Sequence, residues 1–157
     1  MESLRDELKF NLEQGQLVVA QVAAFNDKGQ GNFSGTNIIG ALVEVLPSAP
    51  IYAPTRGELT DQTKIDVRWE FLIGEAQTGG SEIISYELQT DDGLGGDFEE
   101  VVGRSSVYTL NSRVITSNID SGRTYRFRYR AKNIHGWGEF SPIEYILAAT
   151  VPSAPTG

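Results

Sequence analysis

The chain has 157 residues, no cysteine and a net charge of −8, which excludes a disulfide scaffold, a thiol nucleophile and a thiolate metal site. Its acids are spread along the chain, which disfavours a nucleic-acid partner because phosphate binding needs clustered Lys and Arg. No run of about 18 apolar residues offers a bilayer span, and the opening Met1–Glu2–Ser3–Leu4–Arg5–Asp6–Glu7 lacks the basic-then-apolar order of a signal peptide.

Leu8, Phe10 and Leu12 alternate with Lys9 and Asn11 up to Glu13–Gln14–Gly15, which predicts a strand leading into a turn. From Gln16 to Phe25, Val18, Ala20, Val22 and Ala24 fall on one face and Leu17, Val19, Ala23 and Phe25 on the other, so partial cover is expected on both faces. Asn26–Asp27–Lys28–Gly29 reads as a tight hairpin turn, with Ile38 to Val45 as the returning strand. Pro47, Pro50 and Pro54 suit a short, stiff connector. Ile65, Val67 and Trp69 then alternate with Asp66, Arg68 and Glu70 in a strand whose tryptophan belongs in the core.

Gly79–Gly80–Ser81 marks a turn before the period-two strand of Ile84, Tyr86 and Leu88. Asp91 to Asp97 is expected to be a flexible acidic loop, followed by short runs at Val101–Val102 and Val107–Leu110. After a turn at Ile119–Gly122, Tyr125, Phe127, Tyr129 and Ala131 alternate with Arg126, Arg128 and Arg130, the clearest period-two pattern in the chain. Ile143 to Leu147 supplies a last strand. No apolar period of about 3.6 residues persists, so helix content should be low. About seven short strands with turns between them describe an all-β sandwich, its two sheets separated by Trp69, Tyr86, Tyr125, Phe127 and Tyr129.

Two echoes organise the chain. Asn11–Gly15 followed by Ala24–Ser34 returns as Asn118–Gly122 followed by Ala131–Ser141, at an offset of 107 positions (Asn11 to Asn118). Leu46–Pro47–Ser48–Ala49–Pro50 returns as Val151–Pro152–Ser153–Ala154–Pro155, at an offset of 105 (Leu46 to Val151). The echoes predict a window cut from an array: the back half of one module over 1–46, a linker over 47–54, a complete module over 55–150, and the start of the next linker over 151–157. A back half of roughly 45 residues does not hold a core without a staple or a partner.

The blocks Lys64–Trp69, Gly79–Leu88, Ile119–Asn133 and Gly136–Ser141, in that order and spacing, resemble a fibronectin type III module; the second half of the pattern recurs over Leu8–Val45. The resemblance implies an immunoglobulin-like Greek-key β-sandwich in tandem array. It further implies core positions for Trp69 and Tyr86, and a Tyr125 hydroxyl bonded to backbone near the turn before its strand. Val18 stands at the matching place in the partial module, where no such bond can form. The family's integrin-binding tripeptide is missing, since Arg56–Gly57–Glu58 shares two of its three residues but lies near the connector.

Catalysis needs convergent groups, and the one histidine, His135, sits in a hairpin loop with no motif around Ser112 or Ser141. Asp91, Asp92 and Asp97 with intervening glycines do not match a twelve-residue calcium loop, so a plain loop is favoured over a divalent-ion site, with Glu99 and Glu100 keeping the ion reading alive. Arg126, Arg128 and Arg130 are expected on a solvated face, paired with Glu87, Asp66 or Glu70. Together with His135 and Trp137 they are the candidate partner contacts. Trp137 reads equally as an exposed anchor or as packing at the domain end. Asn32–Phe33–Ser34 fits a glycosylation acceptor.

The resulting expectation is a non-catalytic structural and protein-binding segment of a larger multidomain protein, with no cofactor and no metal. Its partners would be proteins, neighbouring modules included, with no nucleic acid and no direct membrane insertion. A homo-oligomer through the N-terminal half-module is the further candidate, motivated by Phe10, Leu12, Val18 and Val22. The alternatives are an accessory module of a larger enzyme or receptor and a self-associating segment completed by another chain. Extracellular or cell-surface placement is favoured over a cytoplasmic or cytoskeletal one.

Overall fold

The computed structural model describes residues 11–150. Leu8 and Phe10 of the first expected strand lie outside the described residues, as do the opening heptapeptide and 151–157; Leu12 is exposed and belongs to no strand.

The complete unit is built from β3 (Thr55–Arg56), β4 (Ile65–Arg68), β5 (Ser85–Thr90), β6 (Glu99–Val102), β7 (Ser112–Ile115), β8 (Thr124–Asn133), β9 (Gly136–Trp137) and β10 (Glu144–Leu147). A 3-stranded sheet runs β3-β4-β7, and a 5-stranded sheet runs β10-β8-β5-β6 with β9 also paired to β8. The chain therefore changes sheet between β4 and β5, again between β6 and β7, and again between β7 and β8, as in a Greek key.

Period-two patterning decides what fills the gap between the sheets. Ile65, Val67 and Trp69 from the smaller sheet meet Tyr86, Leu88, Tyr125, Phe127, Tyr129, Ala131 and Ile146 from the larger, and all are buried. Each large apolar side chain taken out of water contributes about 1.5–3 kcal/mol. Trp69 lies against the Tyr108 and Tyr129 rings at 6.1 and 5.9 Å, and its Nε1 has no hydrogen-bond partner among the described residues.

The core tyrosines keep their hydroxyls bonded, as buried polar groups must. Tyr125 Oη accepts the Asp120 N–H at 2.8 Å and donates to the Asn118 carbonyl at 3.0 Å, the bond the resemblance implied. Tyr86 Oη accepts the Leu72 N–H, and Tyr129 Oη donates to the Glu70 carbonyl. Burial raises the Tyr86 hydroxyl above its ordinary value and pushes that of Tyr129 up to about 12.

One expected strand is corrected, and two details are added to the rest. The run Val107–Leu110 forms no strand: Tyr108 is tied to the Ser85 and Ser112 positions instead. The strand is β7, because β4 offers a register partner to each of its residues, from Ile65↔Ile115 to Arg68↔Ser112. One helical turn, α1 (Glu75–Thr78), forms between Gly74 (φ 77°) and Gly79 (φ 76°), whose left-handed angles favour glycine. Pro47, Pro50 and Pro54 are buried against the sandwich; the Ser48 N–H and Oγ donate to the Gln77 and Ala76 carbonyls.

In the N-terminal segment β1 (Phe25–Asn26) and β2 (Gly29–Gln30) close a hairpin at the expected turn, where the Asn26 side chain accepts the Lys28 N–H. The hairpin repeats several bonds of the β8–β10 region. Gly31 N–H donates to the Ala24 carbonyl as Gly138 does to Ala131, and Ser34 N–H to Val22 as Ser141 does to Tyr129. Ser34 Oγ accepts the Val22 N–H at 3.1 Å, as Ser141 Oγ accepts that of Tyr129 at 3.1 Å. Gly15 N–H donates to the Val43 carbonyl as Gly122 does to Ala148. The return strand differs, with one isolated bridge at Leu17↔Leu42 and the Asn37 side chain accepting the Ala20 N–H where β10 forms a ladder, and so does the cover. Cover is only partial, as expected of both faces: Val18 on one and Leu17 and Ala23 on the other are half-buried, whereas Val19, Val22 and Phe25 are 59%, 73% and 80% exposed, because among the described residues no second sheet stands opposite this hairpin.

Candidate functional site

The outer face of the larger sheet carries the row of cations that β8 alternation forces away from the core. β5 is its antiparallel neighbour, and the register places Glu87 opposite Arg130 and Gln89 opposite Arg128, the cross-strand arrangement in which opposite charges attract. Glu87 is fully buried and accepts from Arg130 Nε and Nη2 at 2.7 and 2.6 Å. Its other oxygen accepts the Gln89 amide at 2.7 Å. Gln89 Oε1 in turn takes Arg128 Nε and Nη2 at 3.0 and 2.8 Å.

Aromatic rings interleave with this row. Arg128 is sandwiched between Phe98 and Phe140, each 4.0 Å from its guanidinium carbon to the ring centroid. Arg130 lies over Phe140 and Trp137, Arg126 over Phe98, and Lys132 over Trp137. Cation–π stacking of this kind contributes about 0.5–2 kcal/mol per contact. The expected pairing with Glu87 is found at Arg130, while the expected solvation of the face is corrected. Asp66 pairs with Arg68 on the other sheet, Glu70 takes no part, and the arginines are roofed by rings. Burial, then the neighbouring charges of Arg130 and Arg126, lower the Arg128 pKa against the opposing pull of Glu87. Among the described residues Arg128 faces no carboxylate within ion-pair distance.

Asp91 sits at the end of this face, where its carboxylate accepts the Arg126 N–H at 2.9 Å and Arg126 Nε at 2.8 Å. Burial pushes its pKa up, but the bonds from Arg126 and from the Gly93 N–H outweigh this and leave it below the usual value. Asp92 accepts the Leu94 and Gly96 N–H groups, which hold its carboxyl low. The acidic loop is therefore ordered by its own donors. No group of three or more His, Cys, Asp or Glu able to hold a metal exists among the described residues.

A second cluster forms where the N-terminal segment meets the sandwich. Asn133, fully buried at the end of β8, donates to the Val45 carbonyl at 2.7 Å and to Thr78 at 2.9 Å, while its oxygen accepts the His135 N–H. Val45 N–H donates to the Gly79 carbonyl at 2.8 Å. His135 Nε2 lies 2.8 Å from Glu44, and the Gln14 amide donates to the Glu75 carbonyl. Gly79 and Gly138 are required here, because a Cβ would run into the carbonyl oxygens of Val45 and Pro47.

Of the candidate contacts, Arg126, Arg128, Arg130 and Trp137 thus lie together on one face, with His135 apart at the junction. Ser141 Oγ is committed to Tyr129 and Pro142, so His135 has no serine beside it. Asn32 is exposed on the N-terminal hairpin. Arg56 donates to the Thr60 and Ala149 carbonyls, and Gly57 packs against Asp66. The sequence left Phe98, Gln89, Asn133 and Glu44 unmarked. Asn133 had a usable signal, because Asn26 repeats it; Phe98 had none.

No family model matches the chain. A curated relative, a Lar-like tyrosine-protein phosphatase of Caenorhabditis elegans, is 23% identical over 158 residues, covering 86% of this chain and 7% of that protein's own length. Among solved structures, domains A168–A170 of titin superpose with a TM-score of 0.56 at 19% identity, covering 81% of this chain and 39% of that one. A human fourth FNIII domain superposes with a TM-score of 0.58 at 17% identity, covering 79% and 96%. The sandwich has the fibronectin type III fold, and the N-terminal hairpin repeats its last strands.

Proposed function

We propose that the chain is a non-catalytic segment of a longer protein, in which sandwich modules are joined end to end so that their outer faces are presented to protein partners at fixed spacing. The docked junction carries this reading. Asn133, Gly79 and Gly138 grip the backbone at Val45 and Pro47, and buried prolines restrict the connector. The stacked face of Arg126, Arg128, Arg130 and Trp137 is the proposed partner surface, with His135 at the junction. Exposed Asn32 supports extracellular or cell-surface placement, which glycan mass on that residue from the native source tests.

Spin labels on Leu42→Cys and Asp97→Cys test the junction in a chain that otherwise lacks cysteine. A single narrow distance is expected, broadening in Gly138→Val. A broad distribution without that substitution contradicts a fixed junction. One observation favours a second reading, completion of 11–46 by another polypeptide: the hairpin has several hydrogen bonds of a sandwich edge and little of its cover.

A further inference from the structure

The cation row on β8 is only half neutralised. Asp91 meets Arg126, and Glu87 meets Arg130. Among the described residues Arg128 and Lys132 have no carboxylate within ion-pair distance. Both stand on the outward face of β8, four positions apart, which in an extended strand separates them by about 13 Å.

Arg128 is left with one open side. Phe98 and Phe140 cover the flat faces of its guanidinium, and Gln89 Oε1 takes the Nε and Nη2 edge. Nη1 has no acceptor among the described residues, where the one buried side-chain nitrogen or oxygen without a partner is Trp69 Nε1. The Nη1 end of Arg128 therefore reaches solvent, with its orientation fixed by its neighbours. A carboxylate meets a guanidinium end through two parallel bonds, and a fork already held in place loses little freedom on binding.

From this we infer that Arg128 and Lys132 hold two carboxylates of one extended acidic peptide on a protein partner, the acids four positions apart and the residue midway between them uncharged. The inference rests on the reading of this face as a partner surface and names what that partner presents. The midway residue lies over Arg130, whose charge Glu87 already meets and whose flanks are Phe140 and Trp137. A third carboxylate there gains no free cation, whereas an apolar side chain gains two rings.

Sparse charge is part of the match. Phe98 stands between Asp97 and Glu99, both exposed, and the chain carries a net charge of −8. A dense polyanion would be repelled at that end of the row, whereas two carboxylates set against two cations are not.

The probe is a capped peptide of sequence Thr-Glu-Thr-Val-Thr-Glu-Thr, titrated into the intact protein while backbone and side-chain signals are followed by NMR. Saturable shifts are expected at Arg128 and Lys132. Arg128→Gln should weaken binding by about tenfold or more, and Lys132→Gln by about threefold. The second variant leaves the stack of Phe98, Arg128 and Phe140 intact, so it reads the contact even where the first loosens the sheet. Exchanging Val with the second Glu of the peptide, which moves that acid to the midway position, should cost about threefold as well.

The inference is overturned by the absence of saturable shifts, by equal affinity for the two Glu spacings, by affinity unmoved in both variants, or by a sulfated disaccharide of the same charge binding as tightly as the peptide. Equal affinity for both spacings with shifts across the face removes this inference and leaves the face a partner surface. The spin-label distance is read on the same protein: a broad distance with spacing-dependent binding removes the fixed-junction reading alone.

Discussion

Between Gly15 and Val43 the chain repeats several of the hydrogen bonds that it makes between Gly122 and Ala148, yet Val22 is 73% exposed and its counterpart Tyr129 is 1% exposed. The local backbone is set by features the two share: turn glycines, a turn asparagine, and a serine whose hydroxyl accepts an N–H from the facing strand. Stability is set by what they do not share. A hairpin alone is marginal in water; the second gains a facing sheet, three bonded tyrosines and a roofed row of arginines.

Matched substitutions in the two hairpins break or sharpen that contrast. Phe127→Ala empties the middle of the core and is expected to cost about 3–5 kcal/mol in urea unfolding, whereas Val22→Ala in the exposed hairpin should stay within about 0.5 kcal/mol. Equal losses would mean that the first hairpin is covered after all.

Arg130→Met leaves the buried Glu87 carboxylate without its main cation, and a loss of about 3 kcal/mol is expected. The double variant Arg130→Met with Glu87→Leu should recover most of it. Its counterpart, Ala23→Met, has no such charge to strand and should be close to neutral by the same assay.

Tyr125→Phe removes the hydroxyl that joins Asn118 and Asp120, a loss of about 1–3 kcal/mol. Placing a hydroxyl at the matching position with Val18→Tyr should gain nothing measurable. A gain there would show the first hairpin to be limited by its corner bond and not by its missing sheet.

The smallest effect concerns acid. Because the Asp91 pKa lies below its unfolded value of about 3.9, its contribution is fully present above that pH and is lost as pH falls through the lower folded value. Asp91→Asn should therefore flatten the decline in unfolding midpoint below about pH 4. An unchanged slope would assign the acid sensitivity to other carboxylates.

Much of the fold was legible because its signals are local. Alternation in Tyr125–Ala131 dictates an inward and an outward face, and Asn26–Gly29 dictates a turn. β7 was missed because Ser112–Ile115 is ordinary in sequence and becomes a strand only through β4. The roof over the arginines was also non-local: Phe98 and Phe140 approach Arg128 from residues 30 and 12 positions away in the chain. The exposed first hairpin misled for a related reason, since apolar alternation records the burial a segment is built for and leaves open what covers it.

Native-state amide exchange on the intact chain at low concentration compares the two hairpins most directly. Tyr129, Gly138, Ser141 and Ala148 are expected to exchange only through global unfolding, and their counterparts Val22, Gly31, Ser34 and Val43 at least about a hundredfold faster. Equal protection of both sets in a monomer would contradict the claim that cover, and not hairpin hydrogen bonding, separates them.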